Sequence, residues 1–318
     1  MAILIIGAGL VGSQIARILV DQGETPVLMD RAAQPKALGE IVDLARVELD
    51  QGDVLRPFSL AEVMRRHEIT EIIHLAANPM LTIGAQRDPY AAIELNIMGT
   101  TNVLEAARVH GVKRVVVASS GVLNHHLAGG EGKGDPMHEE AFPRPVSFYA
   151  SCKQAVESIG LNYARWCGVE FAAMRYAAVA GPWGGEGGGA PSNVFLAMVR
   201  AALAGEEAVL PASTMEWVYS KDAARATLLA ARASTLKNRV FNASMGRLTS
   251  PQDLAAALIA AVPGARYRIE KPAAGPTLQG MSGTSNLSLA RELLGFVPEY
   301  QMGDAVRDTV AWFRGRRS

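Results

Sequence analysis

Gly7-Ala8-Gly9-Leu10-Val11-Gly12 is the stretch that decides the fold of this 318-residue chain. It follows the short apolar run Ala2–Ile6 and opens the amphipathic segment 10–22. A short apolar run predicts a buried strand and apolar residues at helical spacing predict a helix, so the glycines lie in a strand-to-helix turn. In that context the Gly-x-Gly-x-x-Gly spacing predicts a loop that holds the pyrophosphate of a dinucleotide.

The three glycines of this loop have different expected roles. Gly7 permits the tight turn, Gly9 lets the backbone approach a phosphate, and Gly12 lets the helix pack closely on the strand. The free backbone amides at the helix start, including those of Leu10 and Val11, then face the phosphates. The alternative is that the glycines serve chain geometry alone.

A carboxylate ends the next predicted strand. Asp30 lies eighteen residues after Gly12, where it can accept hydrogen bonds from both hydroxyls of the adenosine ribose. Because a 2′-phosphate would meet negative charge there, Asp30 favours NAD over NADP. Arg31 weakens this preference, since an arginine beside the ribose accommodates the extra phosphate.

Short apolar runs alternate with amphipathic stretches from the start of the chain to about Tyr176. This is the pattern of a parallel sheet covered on both faces, so we expect an α/β fold with a Rossmann-type doubly wound parallel sheet and a smaller C-terminal α+β lobe. Residues 1–176 are the predicted dinucleotide-binding domain. Residues 177–318 are mainly the predicted substrate-binding lobe, with some segments returning to the Rossmann core. The predicted strands are 2–6, 26–30, 46–50, 71–75, 114–119 and 170–176, and the predicted helices are 10–22, 60–67, 89–110, 148–167 and 304–314.

Two parts of this pattern leave alternatives open. The long helices 89–110 and 148–167 carry apolar stripes that indicate either core packing or a helical dimer interface. The glycine-rich stretch 181–189 predicts an irregular, mobile loop that becomes fixed when a ligand binds, or a linker without function.

The composition excludes several classes of partner. Lysine plus arginine equals aspartate plus glutamate at 31 each, so no net charge attracts nucleic acid or an anionic membrane. Cys152 and Cys167 are the only cysteines, which are too few for a disulfide framework or a zinc cluster. The apolar opening run is far too short to span a bilayer. We therefore expect a cytoplasmic protein whose partner is a small-molecule substrate and which contains no metal site.

Tyr149 and Lys153 are the candidates for acid/base chemistry. They lie four residues apart on the predicted helix 148–167, so both side chains leave the same face. A positive charge beside a phenol favours the phenolate and lowers the phenol pKa, which fits the tyrosine for proton transfer. The alternative is an exposed lysine beside a packed tyrosine, because this spacing also occurs by chance.

With the glycine loop, the Tyr/Lys pair and the order of strands and helices together, the chain resembles the extended short-chain dehydrogenase/reductases, the NAD-dependent epimerase/dehydratase family. The similarity runs from Ala2 to about Phe313. It implies NAD as the cofactor and a homodimer. Besides the glycine loop, Asp30 and Arg31, the resemblance implies further contacts with the cofactor. Two motifs supply some of them: Gly52-Asp53-Val54 supplies Asp53 and Val54, and His74-Leu75-Ala76-Ala77 supplies Leu75, Ala76 and Ala77. The others are Asn96, Tyr149, Lys153, Tyr176 and Val179.

The resemblance also implies the catalytic roles. Tyr149 is the general acid/base on a carbinol oxygen, Ser120 hydrogen-bonds that oxygen, and Lys153 lowers the phenol pKa and holds the nicotinamide ribose. Ser119 competes with Ser120 for the hydroxyl role, and Ser120 is preferred because it aligns without a gap. Asn96 supports the site from a neighbouring helix, or it is a buried asparagine that satisfies backbone groups.

Departures from the family narrow the function. Gly121 and Val122 stand where dehydratases carry an Asp-Glu pair, so dehydration lacks its acid and base. Met215 and Glu216 stand where nucleotide-sugar enzymes carry a diphosphate-binding arginine, and a carboxylate there would repel a diphosphate. The residues directly after Ser120 do not match the motif that the family carries there. The candidate substrate contacts are Asn78, Ser120, Asn124, His125, Tyr149 and Asn193; His125 and His126 have no metal-ligand spacing.

The leading hypothesis is an NAD-dependent oxidoreductase that transfers hydride between NAD and a secondary alcohol of a small polar substrate, such as a sugar, sugar acid or hydroxy acid. An NAD-dependent nucleotide-sugar epimerase is the alternative, because it needs the same Tyr, Lys and Ser. A non-catalytic NAD-sensing protein is the second alternative. Such proteins typically lose the catalytic tyrosine, whereas this chain keeps Tyr149.

Overall fold

The structure is a computed structural model, and it describes residues 2–76, 85, 87–123, 137–140, 145, 147–270 and 283–315. The main feature is a seven-stranded sheet with the order β10-β6-β5-β4-β1-β2-β3, in which every pair of neighbours runs parallel. The order reverses between β1 and β4, which is the doubly wound arrangement. These strands are β1 (Ala2–Ile6), β2 (Val27–Asp30), β3 (Glu48–Gln51), β4 (Ile69–His74), β5 (Arg114–Ser120), β6 (Glu170–Tyr176) and β10 (Arg239–Ala243).

Helices cover both faces of this sheet. The strand side chains alternate between the faces: Ile3 and Ile5 of β1 join one buried cluster, and Leu4 and Ile6 join the other. The helices are α1 (Leu10–Asp21), α2 (Pro35–Gly39), α3 (Pro57–Arg66), α4 (Pro89–Ile93), α5 (Gly99–Val109), α6 (Phe148–Cys167), α7 (Ala190–Ala204), α8 (Ser220–Arg232), α9 (Pro251–Ala261), α10 (Ser288–Leu294) and α11 (Met302–Gly315). Helices α1, α8 and α10 pack on the first face, and α3, α5 and α6 pack on the second.

A smaller part of the chain follows β6. It contains a three-stranded sheet of the order β11-β9-β7 and a two-stranded sheet of β12 and β8, packed with α7, α9 and α11 around their own buried cluster. The strands are β7 (Ala178–Ala180), β8 (Glu207–Leu210), β9 (Met215–Tyr219), β11 (Leu248–Thr249) and β12 (Arg266–Ile269). Segments of this part return to the large sheet, because β10 pairs with β6 and α8 packs against α1.

The sequence predictions agree with most elements and differ at identifiable points. Helix α3 begins at Pro57 rather than at residue 60, because a proline is well placed in the first turn of a helix. The predicted helix 89–110 contains a π-helical turn, Glu94–Met98, between α4 and α5. The predicted strand 46–50 begins later, at Glu48, because a 3₁₀ turn occupies Leu44–Arg46.

Helix α6 has well-defined ends. Ser147 caps its N-terminus by accepting a hydrogen bond from the Ala150 amide at 3.1 Å. Gly168 ends it with φ of 73°, a left-handed conformation that favours glycine. The glycine-rich stretch 181–189 contains no helix or strand, as predicted, and Trp183 anchors it by packing at 2% exposure against Leu10 and Leu196. The predicted mobility of this loop stays a prediction.

Candidate active site

A cavity of about 830 Å³ lies at the carboxyl ends of β1, β2 and β5, next to the point where the strand order reverses. Ligands of doubly wound proteins bind at this position. The predicted site residues that line it are Gly7, Gly9, Leu10, Val11, Gly12, Asp30, Arg31, Leu75, Ser120, Tyr149, Lys153, Tyr176 and Val179. The structure therefore brings the nucleotide loop and the acid/base residues to one cavity.

The glycine loop has the geometry that a pyrophosphate needs. Gly7 has φ of +105°, and a Cβ there would lie 2.9 Å from the Ala76 amide nitrogen. A Cβ on Gly12 would lie 2.0 Å from the Gly7 carbonyl oxygen, so any larger residue would separate helix from strand. A Cβ on Gly9 would meet no atom within 4 Å, and no described side chain caps the start of α1. The first amides of α1 are thus available to phosphate oxygens, and these residues fit a dinucleotide.

The Asp30 carboxylate is held at the edge of the cavity by two backbone amides. Its Oδ2 accepts from the Ala8 nitrogen at 2.9 Å, and its Oδ1 accepts from the Ala32 nitrogen at 2.9 Å. A carboxylate has about four acceptor positions, so both oxygens can still accept ribose hydroxyls. Arg31 also lines the cavity, beside Asp30.

The phenol of Tyr149 and the hydroxyl of Ser120 lie together in the wall of the cavity. The two side chains are hydrogen-bonded, and both line the cavity. Burial raises the pKa of Tyr149 to about 12, and the hydrogen bond from Ser120 lowers it in part. The protonated phenol is therefore the stable form at neutral pH, and it can donate a proton to an oxygen.

Lys153 is buried and points to the end of β5. Its Nζ donates to the Ala118 carbonyl oxygen at 2.6 Å and lies 5.5 Å from the centroid of the Tyr149 ring. Burial lowers the pKa of Lys153 to about 8. The pKa of Tyr149 is nevertheless raised, because loss of water around the phenol outweighs the hydrogen bond from Ser120. The predicted lowering of this pKa by Lys153 stays a prediction.

The structure distinguishes the two candidate serines. Ser119 Oγ donates to Glu157 Oε1 at 2.5 Å, so its hydroxyl is engaged with a buried carboxylate. Ser120 faces the phenol of Tyr149, and its Oγ also accepts from the Val122 amide at 3.3 Å. The geometry therefore favours Ser120 for the role of orienting a substrate oxygen.

Some predicted contacts are not among the residues that line this cavity. Within the described part of the predicted set, these are Asp53, Val54, Ala76, Asn96 and Asn193. Asp53 Oδ1 accepts from the Leu55 amide, and Val54 is buried against Gly99. Asn96 Nδ2 donates to the Ala92 carbonyl oxygen at 2.8 Å, which is the backbone-satisfying role left open above. Their roles as cofactor or substrate contacts stay predictions. The predicted residues Ala77, Asn78, Asn124 and His125 lie outside the described residues.

Sequence reasoning missed a pair of hydrogen bonds between two segments that line the cavity, which we call the clasp. The Gln34 side chain donates from Nε2 to the Glu186 carbonyl oxygen at 3.0 Å, and its Oε1 accepts from the Glu186 amide at 2.6 Å. Both residues line the cavity, so the clasp joins the segment after β2 to the glycine-rich loop. No short-range pattern in the sequence marks this pair, because 152 residues separate its members.

The far wall of the cavity, in its described part, is polar and lacks a cation. It includes Pro211, Ser213, Thr214, Met215, Glu216 and Ser285. Glu216 is buried, and its carboxylate accepts from Ser244 Oγ at 2.6 Å and Ser285 Oγ at 2.6 Å. Of the described lining residues, only Arg31 and Lys153 carry a positive charge, and both lie on the nucleotide side. These wall residues offer hydroxyl groups and no guanidinium.

Two further observations concern metals and membranes. Across the described ranges, no group of three or more His, Cys, Asp or Glu side chains is arranged to hold a metal ion. In the same part of the chain, no helix combines the length and apolar character needed to cross a membrane.

Comparisons with known proteins agree with this geometry. A model of the NAD dependent epimerase/dehydratase family matches residues 3–244. The UDP-glucuronate 4-epimerase of Thermodesulfobacterium geofontis is 26% identical over 185 residues, which cover 56% of this chain and 55% of that protein. The structure of UDP-glucose 4-epimerase from Thermotoga maritima with UDP-glucose superposes with a TM-score of 0.83 at 26% identity and covers 100% of both chains.

A dehydrogenase is equally similar in structure. A partial consensus L-threonine 3-dehydrogenase superposes with a TM-score of 0.84 at 26% identity, covering 99% of this chain and 100% of that one. The similar structures also include complexes with NAD, such as the UDP-glucose 4-epimerase of Thermus thermophilus. The chain is an NAD-dependent enzyme and belongs to the NAD dependent epimerase/dehydratase family.

Proposed function

We propose that this enzyme transfers hydride between NAD and the carbinol carbon of a secondary alcohol in a small polar substrate, and that it releases NADH as a dehydrogenase. The observation that carries the proposal is the convergence of Tyr149, Ser120 and Lys153 on the cavity that the glycine loop borders. A sugar, a sugar acid or a hydroxy acid has the secondary alcohol that this constellation serves.

The chemistry divides among these side chains. Ser120 would orient the substrate hydroxyl, and Tyr149, once it has lost its own proton, would accept the hydroxyl proton as the carbon–hydrogen bond breaks. NAD would supply the acceptor for the hydride, and its positive ring would favour the phenolate form of Tyr149. Lys153 places a second positive charge 5.5 Å from the phenol ring and would donate hydrogen bonds to the nicotinamide ribose. In the reverse direction Tyr149 returns the proton to the carbonyl oxygen.

The far wall supports a small substrate over a nucleotide sugar. A diphosphate needs cationic or amide donors, and an arginine provides them in bidentate form. The described wall places the hydroxyls of Ser213 and Thr214 there instead, while the Glu216 carboxylate is engaged by Ser244 and Ser285. Hydroxyl groups suit the hydroxyls of a small polar molecule.

A nucleotide-sugar epimerase is the second candidate, and the relatives favour it. The proteins similar to this chain include UDP-glucuronate and UDP-glucose 4-epimerases. The start of α7 supplies Ser192 and Val194 to the cavity, next to the predicted contact Asn193. An epimerase would return its hydride to the same molecule and release no NADH.

One experiment separates the two candidates. The enzyme is incubated with NAD and polyols, aldoses, uronic acids, hydroxy acids, L-threonine and UDP-sugars in turn, and NADH is followed by absorbance. We expect stoichiometric NADH with one small polar substrate. Conversion of a UDP-sugar to its epimer without NADH would contradict the dehydrogenase and establish the second candidate.

We infer a homodimer from an apolar surface on two helical segments. Tyr90, Ile93 and Met98 are 77%, 42% and 50% exposed, and Trp166 at the end of α6 is 72% exposed. Packing against a second copy would cover these side chains. Light scattering should give twice the chain mass for the wild type and for Phe58→Glu, a change at a separate exposed residue. Ile93→Glu with Met98→Glu should give the monomer mass, and an unchanged mass would contradict this interface.

We also propose a cytoplasmic location. Cys152 and Cys167 are free thiols, as expected in a reducing compartment. Fractionation of the producing cells tests this proposal, and recovery from an oxidising compartment would contradict it.

A further inference from the structure

The catalytic helix α6 presents a third polar side chain in register with Tyr149 and Lys153. Glu157 lies four residues after Lys153, on the same helical face. It accepts the hydrogen bond from Ser119 Oγ at 2.5 Å, so all three members of this row contact the last residues of β5.

Glu157 is fixed from the opposite side by Arg175 of β6. The Arg175 Nε donates to Glu157 Oε1 at 2.9 Å and Nη2 donates to Oε2 at 2.7 Å, a two-point contact. Both side chains are buried, at 3% exposure for Arg175 and 7% for Glu157. A buried ion pair of this kind adds little net stability, because desolvation offsets the attraction. Its two-point geometry instead gives the carboxylate a single orientation.

The charge of Glu157 acts on Lys153. Burial lowers the pKa of Lys153 to about 8, and the Glu157 carboxylate acts in the opposite direction. The other groups that face Lys153 are Tyr149 and Cys152 on α6, His74 on β4 and the carbonyl oxygen of β5. In the described surroundings of Lys153, Glu157 is the one carboxylate that opposes the cost of burying the ammonium.

We propose that Glu157 is a positioning residue of this enzyme: oriented by Arg175, its carboxylate holds α6 in register on the end of β5 and thereby sets the position of Lys153, one helical turn away. The inference rests on the proposed chemistry only in that Lys153 serves NAD. Glu157 is not among the residues that line the cavity, and its oxygens are engaged by Ser119 and Arg175.

The test uses NAD alone, with its dissociation constant measured by calorimetry between pH ~6.5 and ~9.5, a window that brackets the pKa of Lys153. As pH rises through that pKa, the Lys153 ammonium loses a proton and its positive charge, so the affinity for NAD falls. Glu157→Gln keeps the shape of the side chain and removes its charge. We expect the midpoint of this fall to move by about one pH unit to lower pH.

A second variant guards against misfolding, because Glu157→Gln leaves Arg175 without a carboxylate. Glu157→Gln with Arg175→Gln removes both charges and should show the same downward movement of the midpoint. The matched control is Glu24→Gln with Arg232→Gln, an exposed pair between helix ends, which should keep the wild-type midpoint.

A folded Glu157→Gln variant with the wild-type midpoint would overturn the inference. So would a wild-type enzyme whose affinity for NAD does not change across this pH range. Glu157→Asp keeps the charge and should restore the wild-type midpoint. These measurements need no substrate, so they test Glu157 separately from the proposed function.

Discussion

The Lys153 ammonium lies 5.5 Å from the centre of the Tyr149 ring, one helical turn along α6, while its hydrogen bond goes to the Ala118 carbonyl oxygen at 2.6 Å. This arrangement fixes the charge beside the phenol without a direct ion contact. Because Tyr149 is itself hydrogen-bonded to Ser120, the three side chains share the end of β5. Their convergence underlies the predictions below.

Tyr149→Phe should abolish hydride transfer without loss of cofactor. The change removes only the hydroxyl that exchanges the proton, so NADH formation should fall by at least ~10²-fold. NAD affinity, measured by calorimetry, should stay within about 3-fold, since the ring and Lys153 remain. Tyr163→Phe on the same helix is the matched control, because its hydroxyl contacts Glu105 at 3.2 Å away from the cavity. Wild-type turnover in Tyr149→Phe would remove this residue from the chemistry.

Asp30→Asn should relax the preference against NADP. The amide keeps an acceptor for the Ala8 nitrogen and removes the charge that repels a 2′-phosphate, so NADP affinity should rise by about 10-fold relative to NAD. Calorimetry with both nucleotides measures the ratio. Asp21→Asn changes an exposed carboxylate on α1 and should leave the ratio unchanged. An unchanged ratio in Asp30→Asn would mean that this carboxylate does not face the ribose.

Gln34→Ala should speed the release of NAD. It removes both hydrogen bonds of the clasp with Glu186, which together are worth about 1–3 kcal/mol, so the dissociation rate constant should rise by about 10-fold. Stopped-flow displacement of bound NADH measures that rate. Gln22→Ala removes a contact with Arg232, and neither of these residues lines the cavity, so this variant serves as the control. Equal release rates in all three proteins would show that the clasp does not retain the cofactor.

His74 should make the fold sensitive to mild acid. Burial, with the nearby charge of Lys153, lowers the pKa of His74 to about 3. A histidine whose folded pKa is depressed stabilises the fold above its unfolded pKa of about 6.5, and this stability is lost as pH falls toward the folded value. Between pH ~6.5 and ~5 the free energy of unfolding should fall by up to about 2 kcal/mol.

Denaturant unfolding of His74→Gln measures this effect. The glutamine keeps a donor for Thr100 Oγ1, which lies 3.2 Å from His74 Nε2, and it does not titrate. We expect a flatter dependence of stability on pH in this range, whereas the exposed His110→Gln should keep the wild-type slope. A slope in His74→Gln equal to that of the wild type would assign the acid sensitivity to other groups.

Local patterns in the sequence predict a large part of this structure. The glycine loop, β1 and α1 follow from a strand run, a Gly-x-Gly-x-x-Gly spacing and a helical period, and the bounds of β1, β6 and α6 agree with the prediction. The neighbours Tyr149 and Lys153 are likewise a local signal, because four residues make one helical turn. Cofactor and family follow from signals of this kind.

Contacts between distant segments carry no such signal. The Ser119–Glu157 hydrogen bond and the clasp of Gln34 with Glu186 depend on how strands and loops meet in three dimensions, and 38 and 152 residues separate their members. The raised pKa of Tyr149 also escapes local reasoning, because it results from burial of the hydroxyl, which the spacing of the motif does not show.

The central claim is that hydride moves between NAD and a carbinol carbon in the cavity lined by Tyr149, Ser120 and Lys153. It is tested most directly with the substrate that gives NADH in the panel, prepared with deuterium on its carbinol carbon. The account predicts that mass spectrometry finds one deuterium in the NADH that the wild type forms. It also predicts that Tyr149→Phe forms no deuterated NADH. Deuterium released to water, or product formed with unlabelled NADH, would contradict direct hydride transfer.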